Sequence, residues 1–126
     1  MRSDSQSIFF GRWLPVFLWA GVIFALSSIS QITVAEFFIW DFAAKKVAHL
    51  TEYAVLYALF LRATEKNWVL SFVPTMIYAA TDEIHQSFVP GRNAAVYDLA
   101  FDFSGAAISA YVIWKLGQIH PKKQKK

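Results

Sequence analysis

Lys46, His49, Glu52 and Tyr53 stand within one short stretch, KVAHLTEY, and a second stretch, DEIHQSFVPGR, holds Asp82, Glu83, His85, Gln86 and Arg92. A third, DLAFDFSG, supplies Asp98 and Asp102 with Gly105 behind them. Residues of these types do three kinds of chemistry. Clustered carboxylates hold a divalent cation, a histidine beside a carboxylate moves protons, and a lysine or arginine takes phosphate oxygens. On helices the spacings give each stretch one polar face: Lys46, His49 and Tyr53 fall at i, i+3 and i+7, Asp82 and Gln86 at i and i+4, and Asp98, Asp102 and Gly105 at i, i+4 and i+7.

The carboxylates Glu52, Asp82, Glu83, Asp98 and Asp102 outnumber the cations Lys46 and Arg92. In low-dielectric surroundings such an excess is resolved by protonation, by contact with water or by a bound cation. The set therefore admits a divalent cation held by Asp82, Glu83 and Asp98, although no cofactor motif is evident and a nucleophile with its base is missing. Plainer readings stand beside these. Asp98 suits the first turn of a helix, His49 a hydrogen-bonded core position, His85 the membrane interface, and Glu52 an interhelical contact. Arg92 in VPGR either caps the bend made by Pro90 and Gly91 or takes a carboxylate or a phosphate. Cysteine is absent, which excludes disulfides, thiolate metal sites and a cysteine nucleophile.

The elements that position these groups are apolar. Of 126 residues, 56% are hydrophobic, and the mean hydropathy of +0.38 lies outside the usual soluble range. Four segments approach the length of a span: residues 8–29, 47–63, 68–88 and 94–116. The expected fold is all-α, an integral membrane four-helix bundle. The first segment also resembles a secretory signal, with Arg2 and Arg12 ahead of an apolar run ending in ALSSIS; its removal would still leave apolar segments behind. Arg2 and Arg12, then Arg62 and Lys66, then Lys115, Lys122, Lys123, Lys125 and Lys126 fall on alternate connections. They predict that both termini are cytoplasmic, while Lys45 and Lys46 lie on the opposite, outer side. There the segment SQITVAEFFIWDFAAKK, with Glu36 and Asp41 among aromatic residues, suits an interfacial position.

The three polar stretches then converge on the outer face. Gly105, with Ser104, Ala106 and Ala107, allows close approach of the last helix to a neighbour. The net charge of +3 and pI near 9.3 arise from the termini and one loop, and residues 118–126 form a basic tail suited to an anionic cytoplasmic leaflet. No nucleic-acid partner is expected.

Read together, the three stretches resemble the VanZ-like family of small bacterial membrane proteins. Its pattern runs Lys-x-x-His-x-x-Glu-Tyr, then Asp-Glu-x-x-Gln with Pro-Gly-Arg, then Asp-x-x-x-Asn-x-x-Gly. Lys46, His49, Glu52, Tyr53, Asp82, Glu83, Gln86, Pro90, Gly91, Arg92, Asp98 and Gly105 match. Lys45 replaces a frequent acid, and Asp102 stands where asparagine is usual. The resemblance implies a transmembrane domain over residues 8–117 in the bacterial cytoplasmic membrane, and it brings an association with lowered teicoplanin sensitivity.

Three functions fit these residues. The outer pocket engages or modifies a lipid or lipid-linked envelope precursor, with Lys46 and Arg92 on phosphate and the carboxylates on hydroxyl or amine groups. Alternatively, the protein is an intramembrane hydrolase or transferase acting on a lipid-linked phosphate, with His49 as acid or base. Otherwise the layer is interhelical glue with no ligand. Nothing in the sequence fixes the oligomeric state.

Overall fold

The computed structural model describes residues 2–29, 38–91 and 95–119. They form four helices: α1 (Arg2–Ser27), α2 (Phe38–Ala63), α3 (Trp68–Ser87) and α4 (Asp98–Ile119). No strand occurs among the described residues, so the all-α expectation holds.

Three helix starts differ from the apolar segments, the last helix beginning at Asp98 rather than at residue 94. The first helix begins at Arg2, ahead of residue 8, and the second at Phe38, well before residue 47. The aromatic stretch expected to lie in the interface is the first part of α2 from Phe38 onward. No glycine or proline interrupts FIWDFAAKKVAHLTEY, so nothing stops the helix from extending outward. Glu36 lies outside the described residues, as do Arg92 and the tail from His120.

Burial follows an inverted pattern. The interior holds His49, Ser71, Thr75, Asp82, Gln86, Asp98 and Asp102, while Phe9, Phe10, Phe17, Leu18, Val69 and Ile77 lie exposed. The buried stripe of α3 is Ser71, Thr75, Ala79, Asp82 and Gln86, polar at all but one position. In water this distribution would expose apolar surface far beyond a normal monomer's; in lipid it is the stable one. Two helices are long and apolar enough to cross a membrane unaided, over Asp4–Ser27 and Asp98–Gln118. Pro15 and Pro74 sit inside helices, which membrane helices tolerate because neighbours satisfy the freed carbonyls.

The second helix is the centre of the bundle. It packs against α1, α3 and, most extensively, α4, whereas α1 and α4 do not meet among the described residues. A Cβ built on Gly105 would lie 2.2 Å from the Leu50 carbonyl oxygen and 3.2 Å from the Ala54 nitrogen, so the α2 and α4 backbones touch there. Tyr53, Leu56, Ile23 and Ala79 fill the core. Side chains also bond across to backbone carbonyls: Trp19 donates to Glu52 at 2.8 Å and Tyr78 to Ala20 at 2.5 Å. Such bonds hold helices together where no hydrophobic effect drives them.

The connections set helix direction. After α2, Lys66 N donates to Leu61 O at 2.8 Å and Glu65 N to Arg62 O at 3.4 Å, the paired bonds of a Schellman motif. Glu65 and Lys66 both adopt left-handed conformations, with φ of 57° and 66°. Asn67 then caps α3, its side chain accepting from Leu70 N at 2.9 Å. Beyond α3, Gly91 takes φ of 80°, supplying the bend expected of Pro90 and Gly91.

Candidate functional site

The C-terminal ends of α1 and α3 and the N-terminal halves of α2 and α4 lie at the same end of the bundle. There Lys46, His49, Tyr53, Asp82, Gln86, Asp98 and Asp102 become one buried or nearly buried layer. It consists of three linked arrangements.

Lys46 reaches from α2 to Asp98 of α4, and the ion pair has little solvent contact. The ammonium also lies over the rings of Tyr97, Phe42 and Phe101, at 4.5, 5.0 and 5.4 Å from their centroids. A cation set against several aromatic faces has its position fixed from several sides.

One turn further along α2, His49 Nδ1 lies 2.9 Å from Asp102 Oδ1. An ionised carboxylate only accepts, so with Asp102 ionised Nδ1 would donate to it, whether the ring is neutral or protonated. A histidine oriented by a carboxylate is the arrangement used for proton transfer. The close contact at Gly105, one turn beyond Asp102, brings α4 near enough for this bond to form.

The third arrangement joins three helices. Tyr53 donates to Asp82 Oδ2 at 2.9 Å, and Gln86 Nε2 lies 3.1 Å from the same oxygen and 3.2 Å from Ser27 Oγ. Asp82 and Gln86 are one turn apart on α3, as their spacing predicted. Ser27 brings α1 into the layer. Next to it His85 stacks on Phe24, 4.5 Å between centroids and 5° between planes, with Ser28 Oγ 3.4 Å from its Nε2.

Several polar atoms in this layer are shielded from solvent without a hydrogen-bond partner among the described residues: both carboxylate oxygens of Glu83, Oδ2 of Asp102 and Nδ1 of His85. The Ala95 backbone amide bears on the Glu83 carboxylate without the geometry of a full hydrogen bond. Unsatisfied buried acceptors are rare and costly. Glu52 is half-buried, and its charge acts on His49.

The structure separates the expected divalent-ion ligands. Asp82 is engaged by Tyr53 and Gln86, and Asp98 by Lys46. Among the described residues no group of histidines, aspartates and glutamates is arranged to hold a metal ion. Arg92 lies outside the described residues.

Ser27, Ser28 and the rings around Lys46 were not singled out from the sequence. The serines sit in ALSSIS, whose small residues suggested a cleavage site. The signal that would have found them is an abrupt change from apolar to hydroxyl residues at the end where the other polar stretches gather.

Comparison with curated proteins and with solved structures returns no match. The VanZ/LLP1 family model matches residues 4–118, which takes in all four helices up to the last turn of α4. The three polar stretches and the apolar helix preceding them thus belong to one pattern, and the chain is a member of the VanZ/LLP1 family.

Proposed function

We propose that the protein is a multi-pass bacterial cytoplasmic-membrane protein whose polar layer engages the head group of a lipid-linked cell-envelope component at the outer face. The supporting observation is that both carboxylate oxygens of Glu83 and Oδ2 of Asp102 have no hydrogen-bond partner among the described residues. Acceptors shielded from water call for donors, and the hydroxyl and amine groups of a lipid-linked saccharide or amino acid are donors. Lys46 is already balanced by Asp98, so a phosphate would share that cation with the carboxylate. Altered handling of an envelope precursor is also a route to changed sensitivity to glycopeptides such as teicoplanin.

A second reading is favoured by the contact between His49 and Asp102. With the imidazole oriented by Asp102, His49 would act as acid or base in hydrolysis or transfer at a lipid-linked phosphate. Water would then serve as nucleophile.

Native mass spectrometry after mild detergent extraction tests the first reading. Wild type is expected to retain a lipid-linked, donor-rich head group, and Glu83→Gln to lose most of it, since a charged hydrogen bond contributes about 1.5–3 kcal/mol. Identical lipid complements in the two would contradict the reading. Phosphate release from a polyprenyl diphosphate, abolished in His49→Gln, would establish the enzymatic alternative instead.

A further inference from the structure

At the opposite end of the bundle, where α2 ends and α3 begins, a cavity of about 560 Å³ is lined by Arg12, Arg62, Glu65, Lys66, Leu61 and Ile113. Arg12 forms an ion pair with Glu65. Arg62 and Lys66 are exposed and have no carboxylate partner among the described residues. The cavity is therefore cationic beyond what its one acid balances.

Beyond the bridge between Arg12 and Glu65 lies a second cavity, of about 510 Å³, with Ile8, Phe9 and Trp13 in its wall. Ile8 and Phe9 are 53% and 59% exposed. Cations and exposed apolar side chains thus stand side by side, which suits an amphiphile better than a free anion.

The turn that carries Glu65 and Lys66 gives an independent indication. Both residues hold φ in the left-handed region, where glycine would avoid the clash between Cβ and carbonyl. The Schellman bonds and the hydroxyl contact between Thr64 and Ser71, at 2.7 Å, hold the turn in place. Side chains kept at strained positions point to use of those side chains.

We propose that this end of the bundle binds the phosphodiester head group of an anionic phospholipid, with Arg62 and Lys66 on its oxygens and its acyl chains against Phe9 and Trp13. The site is separate from the polar layer, and it stands or falls independently of the function proposed for that layer.

The test uses full-length protein in nanodiscs of phosphatidylcholine containing a minor fraction of phosphatidylglycerol, with bound lipid read by native mass spectrometry. Wild type is expected to enrich phosphatidylglycerol on the order of tenfold over its bulk fraction, as two cations facing a charged lipid head group imply. Arg62→Gln with Lys66→Gln abolishes the enrichment, and Arg62→Lys with Lys66→Arg retains it. Both pairs alter exposed positions, and their melting temperatures remain at the wild-type value. Equal enrichment in the glutamine pair would overturn the proposal. Displacement of the lipid by millimolar inorganic phosphate would also overturn it, because the site would then read a free anion.

Discussion

Gly105→Ala is expected to destabilise the bundle by about 3 kcal/mol or more, at the upper end of what overpacking costs. The added Cβ would lie 2.2 Å from Leu50 O and 3.1 Å from Leu50 C. Both are backbone atoms, so no side-chain rotation relieves the clash and the helices must separate. Separation acts directly on the site. Leu50 follows His49, and Gly105 lies one turn after Asp102, so the 2.9 Å contact between His49 and Asp102 lengthens with the displacement. Gly117→Ala is the control, because nothing lies within 4 Å of its new Cβ. Alanine's helix propensity should leave that variant equal to or slightly more stable than wild type. Melting in detergent distinguishes the two; a tolerated Gly105→Ala would show that α2 and α4 do not cross as closely as described.

Lys46→Met is expected to destabilise by a comparable amount, about 3–5 kcal/mol, because it strands a charged Asp98 inside the layer. The carboxylate is 4% exposed, so water cannot substitute for the lost ammonium. Adding Asp98→Asn removes the stranded charge, and the double variant should recover most of the lost stability. The difference between single and double variants is the coupling of the pair. Recovery would also show that the ion pair is dispensable for folding, as buried pairs often are. If the single variant melts with the wild type, Asp98 is neutralised in some other way and the pair does not govern this end of the bundle.

The sequence made the convergence of the polar stretches legible because a four-helix topology brings all three to one end, while helical spacing places Lys46, His49 and Tyr53 on one face and joins Asp82 to Gln86. The glycine at position 105 announced a close helix approach, and the structure identifies the neighbour as α2 at Leu50. Pairing between helices was less accessible. Spacing within one helix says nothing about rotation relative to another, so Lys46 with Asp98, His49 with Asp102, and Tyr53 with Asp82 emerged only from the packed bundle. The same blindness allowed Asp82, Glu83 and Asp98 to be grouped as ion ligands, although two of them have partners on other helices. Hydropathy likewise obscured Ser27, whose hydroxyl matters through Gln86 of α3 and carries no signal within its own apolar helix.

On the function proposed above, Glu83 is kept for a ligand and at a cost to stability. A shielded carboxylate without a full hydrogen bond among the described residues, as at Glu83, opposes folding, and an apolar side chain of similar size removes that penalty. Functional sites are where such penalties persist. The most direct measurement is the melting temperature of Glu83→Leu beside wild type in detergent, after stripping of bound lipid. The variant is expected to melt higher than wild type while failing to retain the lipid-linked head group. A lower melting temperature would mean that Glu83 holds the helices together, and the layer would then be structural glue.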